Sequence, residues 1–218
     1  MKSKSTCIML VVGLLLQVLT FLITKDTLLS FTSGIAGVFS VVFCSERKLS
    51  YYFWSFIQIV TFSIICFNEQ LYAKLLENIF YIVTMGIGIG AWLANKDIEN
   101  KVKTRSLKVH DTVKCCIAGM VGFVFLYVPL ALFLNSTNPL LDAITTTLAL
   151  IAQILMVLRY KENWILWGIM NILCIVLFIS TQNWCMVAQY VFWTINTIYG
   201  YCEWNRVAVP NDKYFKTC

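Results

Sequence analysis

Apolar residues along this chain come in continuous runs of about 17–22, separated by short polar stretches rich in Lys, Asn, Asp and Glu. Crossing the hydrocarbon core as a helix takes about 20 residues, and inside it every backbone group must be bonded within the protein. The runs are continuous rather than alternating, so they predict helices and not the strands of a barrel. Spans are expected near residues 7–23, 28–44, 51–67, 71–94, 113–134, 140–158, 164–180 and 184–204. No soluble domain remains between them, and the expected class is an all-α integral membrane protein.

The pattern also repeats. Residues 32–92 resemble residues 145–204 at an interval of 113. That interval pairs Trp54 with Trp167 and Gln58 with Asn171. One residue of slack in the following loop then pairs Phe80 with Phe192, Tyr81 with Trp193, Gly88 with Gly200 and Trp92 with Trp204. Two three-helix units with the same orientation need one extra crossing between them. The expected plan is an extra helix (1–26), a first unit (27–95), a basic loop (96–112), a linker helix (113–139), a second unit (140–206) and a tail (207–218). Parallel repeats related by an axis along the membrane normal place a site near the midplane, and an interface carrying Trp, Asn and Gln describes a small-solute transporter.

Charge adds orientation. Of 17 Lys and Arg, only Lys25 and Lys74 fall on the outer side if the N-terminus is cytoplasmic. Such a bias places both termini in the cytoplasm and accounts for the net charge of +6 without a nucleic-acid partner. The stretch NKDIENKVKTRSLKVHD then reads as a solvated connector and topology anchor, with contact to anionic membrane lipid. The first run lacks a small-x-small cleavage site and is expected to be a retained helix. The nine cysteines form no CxxC pair and share no metal-like spacing with the lone His110, so they read as small apolar residues.

Polar residues inside the spans carry the candidate chemistry. Trp164, Trp167 and Asn171 stand at spacings of three and four and share one helix face. Trp164 suits either an interfacial anchor or a ring contact. Asn171 lies too deep for an anchor, so its amide must bond to another helix or to a ligand. Gln189, Trp193 and Asn196 form a second stripe, helix 3 offers Trp54 and Gln58, and helix 4 offers Asn78 and Tyr81. Converging on one cavity, these stripes suit a flat ring bearing hydroxyls or an amide. Trp faces also attract a cationic ring, by about 2 kcal/mol when desolvated. Glu77 is expected to pair locally with Lys74 rather than to couple transport to protons, and Asp142 opens a helix. The sequence holds no Walker loop, GxSxG, HExxH or paired carboxylates, so neither an enzyme nor a cofactor is expected.

At these residues the chain resembles the nicotinamide riboside transporter family, the PnuC-type vitamin transporters. The resemblance covers roughly residues 32–206. It is carried by LSYYFWSFIQ, LYAKLLENIFYIV and GIGIGAW in the first repeat, and by DAITTTLALIAQ, ENWILWGIMN and FWTINTIYGYCEW in the second. It implies a fold related to the SWEET sugar transporters and import of nicotinamide riboside across a bacterial inner membrane by facilitated diffusion. It further implies trapping of the solute by a separate cytoplasmic kinase, and a homotrimer. By motif position it makes Trp164, Trp167 and Asn171 ring-stacking and amide contacts, and extends to Gln189 and Asn196. Late in helix 4 the chain departs from the family, with Thr84, Gly86, Gly88 and Gly90 expected to reshape one wall. That leaves thiamine or riboflavin as alternative solutes. A SWEET-like sugar carrier and a non-transporting membrane scaffold are the competing classes.

Overall fold

A computed structural model describes residues 2–24, 27–68, 72–132, 139–180 and 184–210. Eight helices account for nearly all of it: α1 (Lys2–Thr24), α2 (Leu28–Ser45), α3 (Tyr51–Asn68), α4 (Tyr72–Leu93), α5 (Val109–Leu132), α6 (Pro139–Val157), α7 (Asn163–Ser180) and α8 (Trp184–Val207). Each expected span is present. The largest shifts are at α1, which begins at Lys2, five residues early, and at α5, which begins at Val109, four residues early. Lys25, Lys213, Lys216 and the tail beyond Pro210 lie outside the described residues. Among the described residues six helices are long and apolar enough to cross a membrane, and α7 contributes a shorter apolar stretch, Asn163–Val176. The remaining helix, α8, is the most polar in composition, carrying Gln189, Asn196, Glu203 and Arg206.

Large apolar side chains such as Val11, Phe53, Val83, Phe125 and Val176 point outward, which in water would be an aggregation surface and in lipid is ordinary solvation. The inward faces combine small and polar residues with a cluster of aromatic ones. Helix α2 packs on α3, α3 on α4, α6 on α7 and α7 on α8, while α2 meets α8 and α4 meets α6. The two threes therefore touch twice, each time through one first helix and one last helix. Helix α1 lies against α2 and α8, and α5 against α6. Gly13 lets α1 approach closely, since a Cβ there would stand 2.6 Å from Phe192 and 2.7 Å from Val38. Thr6, two turns before Gly13 on the same face of α1, donates to buried Glu46 at 2.6 Å, and Tyr199 of α8 donates to the same carboxylate oxygen.

Backbone bonds show how the halves correspond. After α2, Arg47 N bonds Cys44 O and Lys48 N bonds Phe43 O; after α6, Arg159 N bonds Met156 O and Tyr160 N bonds Leu155 O. These are paired helix stops of the Schellman type, and each has an arginine in the left-handed region, Arg47 at φ 60° and Arg159 at φ 68°. The next turn matches too, Tyr52 N bonding Leu49 O as Trp164 N bonds Lys161 O. Corresponding residues are thus 112 apart from α2 onward, not 113 with later slack. Trp54 therefore corresponds to Leu166, and Gln58 to Met170, correcting the pairing read from sequence. The loops after α2 and α6 are equally long, and matching Trp to Trp had shifted the register by one.

Candidate functional site

The 112-residue relation creates a matched set of interior contacts. Trp92, ending α4, donates from Nε1 to Met156 O of α6 at 3.3 Å; Trp204, in α8, donates to Cys44 O of α2 at 3.0 Å. Both carbonyls lie in the last turn of their helix, where each also accepts from the left-handed arginine N–H of its helix stop. The two indoles meet edge to face, centroids 5.8 Å apart, with the Cys44 thiol 3.4 Å from the Met156 sulfur beside them. Tyr52 lies against Gly88 and Trp92, and Trp164 against Gly200 and Trp204. A Cβ on Gly200 would stand 2.7 Å from the Trp164 ring, so glycine is required for that approach. Both Trp92 and Trp204 are completely buried.

Below this tryptophan pair runs the connector between α4 and α5, and it is not the solvated tether its charge implies. Val102 and Thr104 are fully buried. Val102 packs into the tryptophan cluster, and Thr104 Oγ1 donates to Trp204 O at 2.8 Å. Arg47 reaches Val102 O at 2.9 Å and Asp97 at 3.2 Å, while Arg159 reaches Lys103 O at 3.2 Å. Val102 N bonds Arg47 O, and Arg105 N bonds Arg159 O. The segment β1 (Arg105–Ser106) then pairs with β2 (Val209–Pro210). One strap is thereby bonded to both three-helix units, through the two left-handed arginines. Burial alone would raise the Asp97 carboxyl, but the Lys101 amide and the Arg47 guanidinium hold it below the ordinary carboxylate value. That ion pair contributes fully above the ordinary range and is lost as pH falls through the lowered value.

Toward the middle of the bundle, buried polar groups join the units. Gln153 of α6 donates to Thr84 Oγ1 of α4 at 3.1 Å. Across the bundle, Asn196 of α8 donates to Val41 O of α2 at 3.2 Å and accepts from Ser45 at 3.4 Å. Residues 84 and 196 correspond, as do 41 and 153, so each α4–α6 contact has its α2–α8 counterpart. Asn171 of α7 donates to Thr197 Oγ1 of α8 at 3.2 Å, and Ser40 and Ser55 share a 2.6 Å bond within the first unit.

The half of the bundle remote from the strap holds donors without partners among the described residues. Asn78 is buried, yet no described residue accepts from its Nδ2, and the same holds for Trp193 Nε1. Tyr81 donates to Glu77 at 2.6 Å, and Lys74 binds the other oxygen of that carboxylate at 2.8 Å. Tyr190, packed edge to face on Trp193 at 4.9 Å, occupies the position corresponding to Asn78.

Of the residues expected at a site, Asn78, Asn171 and Asn196 are buried in the interior, and Trp193, Tyr81, Trp167 and Gln189 are half-buried on interior-bearing helices. Trp164 is buried in the tryptophan cluster near the strap. Trp54 stacks on Phe39, centroids 4.4 Å apart, and Gln58 lies over Gly37, so both pack on α2 within the first unit. In the departure late in α4, Gly86 and Gly90 have nothing within 4 Å of an added Cβ. Those two glycines are exposed and line no wall, while Thr84 and Gly88 face inward. Gln153 and Thr197 were missed, although an amide in mid-span was the signal for the first. Glu77 pairs with Lys74 as expected.

The family model described as nicotinamide mononucleotide transporter matches residues 27–206. The nicotinamide riboside transporter PnuC of Haemophilus influenzae is 30% identical over 195 residues, covering 88% of this chain and 85% of that protein. Its counterpart from Neisseria mucosa is 28% identical over 204 residues, covering 88% and 77%. A crystal structure of the vitamin B3 transporter PnuC superposes with a TM-score of 0.79 at 27% identity, covering 93% of this chain and 91% of that one. With its helical plan and most of its length matched, this chain is a multi-pass membrane protein belonging to the nicotinamide mononucleotide transporter family.

Proposed function

We propose that the chain carries nicotinamide riboside across a bacterial inner membrane by facilitated diffusion. The observation that carries this reading is the seam between the two three-helix units, where buried amides and aromatic rings include donors with no acceptor among the described residues at Asn78 and Trp193. A carboxamide oxygen accepts from such donors, ribose hydroxyls exchange bonds with Asn and Gln, and aromatic faces hold a pyridinium ring. The relatives' names supply the solute. On this reading Trp167, Asn171, Gln189, Trp193, Asn196, Asn78 and Tyr81 contact it. Trp164 acts by positioning Trp204, and Trp54 and Gln58 act by setting the α2–α3 distance.

Passive exchange follows from the absence of a nucleotide-binding loop in the sequence and from Glu77 being engaged by Lys74 and Tyr81. Inside the cell, phosphorylation by a separate kinase traps the solute. Both termini and the strap face the cytoplasm, which the bias of basic residues supports, and the tryptophan pair with its strap closes that end of the pathway. Assembly as a homotrimer accords with the family resemblance. Calorimetry on the purified chain with nicotinamide riboside, thiamine, riboflavin, deoxynucleosides and glucose tests the assignment. Binding of the riboside above all others is expected. Preference for glucose would transfer the chain to the sugar-carrier class, and binding of none would leave a scaffold.

A further inference from the structure

Glu77 is a carboxylate with a tenth of its side chain exposed, set on α4 between two different kinds of partner. Tyr81, one turn on, donates to one oxygen at 2.6 Å; Lys74, one turn back, holds the other at 2.8 Å. The two cannot be equally permanent. Tyr81 is interior, whereas almost half of the Lys74 side chain is exposed and its ammonium sits on a flexible stem that reaches water. Cys174 of α7 lies within electrostatic range of Lys74 and of Tyr190 on α8, as Glu77 does of both, so the pair belongs to the junction of the two units. The neighbouring residue, Asn78, is the buried amide whose Nδ2 has no acceptor among the described residues.

We propose that Glu77 selects solutes by charge, exchanging the Lys74 ammonium for the positive ring of the incoming solute. This rests on the proposed transport of a pyridinium riboside, and it assigns the selectivity to a residue outside the expected site. A cation leaving water for a low-dielectric interior needs a counter-anion there, and a carboxylate already held by Tyr81 is one that needs no reorganisation. Bringing in a cation on its own would leave the interior with an extra charge. If Lys74 swings out to water as the ring arrives, Glu77 keeps one cationic partner throughout and the net charge of the junction does not change. Asn78 Nδ2, a buried donor on the next residue of α4 with no acceptor among the described residues, offers a bond to the carboxamide oxygen of the same solute. An uncharged ring of equal shape would keep the amide contact but could not displace Lys74.

The test compares two probes on the full-length purified chain: nicotinamide riboside and its reduced dihydro form, which has nearly the same shape and no ring charge. Glu77→Gln should weaken binding of the charged riboside roughly 10- to 100-fold, the range set by a unit charge at close approach in a protein interior, and leave the dihydro form within about twofold. Lys74→Met should act in the opposite direction, tightening the charged riboside by removing its competitor. Glu77→Asp, which retains the anion, should restore most of the charge preference and guards against a folding defect in Glu77→Gln. Equal losses for both probes in Glu77→Gln, or weakened binding of the charged riboside in Lys74→Met, would overturn the proposal and leave the pair a structural clip. A wild-type chain that binds neither probe defeats the transport reading itself. A wild-type chain that binds both probes equally defeats only the charge selection.

Discussion

Removing one hydroxyl from the strap should open the tryptophan end of the bundle without disturbing the other end. Thr104 is fully buried, and its Oγ1 donates to Trp204 O at 2.8 Å. Trp204 is fourth from the end of α8, so its carbonyl is among those left without an intrahelical acceptor role. Thr104→Val keeps the shape and deletes the donor, leaving that buried carbonyl unpaired at a cost of about 1–2 kcal/mol. The cost falls only on the closed arrangement, because an opened end lets water reach the carbonyl. The population open at this end should then rise about 5- to 30-fold. Cys44 is a native reporter, buried beside Met156 beneath the tryptophan pair. In a background where the other cysteines are replaced, its modification by a membrane-impermeant thiol reagent should accelerate by that factor in Thr104→Val. Thr104→Ser should behave as wild type. A second background keeping only Cys174, buried in α7 away from the strap, should label at an unchanged rate, which separates local opening from general loosening. Labelling of Cys44 at the wild-type rate in Thr104→Val would refute the reasoning, since the strap would then contribute nothing to closure.

Gly200→Ala should lower the melting temperature of the purified protein, because its Cβ meets the Trp164 ring at 2.7 Å and that ring is wedged against Trp204; overpacking of this kind costs about 1–3 kcal/mol. Gly86→Ala, with open space around it, should leave the melting temperature unchanged or raise it slightly. Trp167→Ala and Asn171→Ala should each weaken solute binding by about 1–3 kcal/mol, roughly five- to hundredfold, while the protein still inserts and elutes as a single species. For Asn171 the bond to Thr197 gives a check: Thr197→Val should reproduce the loss if the amide acts through helix packing and spare binding if it acts on the solute. Reporter fusions within the strap and at the C-terminus should behave as cytoplasmic, and an outer-side signal from either would reverse the orientation.

The helices were legible because hydrocarbon imposes one requirement, continuous apolar length, and the sequence states it directly. Turns 46–50 and 158–162 were harder. Their equivalence depends on two arginines in left-handed conformations, which sequence-level expectations assign to glycine or asparagine, so Arg47 and Arg159 gave no turn signal. The strap was misread for a related reason. Its basic residues mark orientation, yet Val102 and Thr104 carry the burial, and two residues are too few to show a period. Asn78, Asn171 and Asn196 stood out because an amide in an apolar run is costly and must be explained. Trp54 and Trp164 stood out equally, and their rings lie against Phe39 and Trp204. Indole is both a good ring contact and a good filler between helices, and sequence alone does not separate the two uses. Tyr190 was missed because its meaning comes from symmetry with Asn78, visible only once the interval of 112 is known.

Uptake by purified protein in sealed vesicles measures the proposed passive pathway for a pyridinium riboside. Labelled nicotinamide riboside should enter until inside and outside concentrations are equal, exchange in either direction when the gradient is reversed, and show no response to an imposed pH or sodium gradient. Accumulation above the equilibrium level driven by protons, and lost in Glu77→Gln, would contradict it.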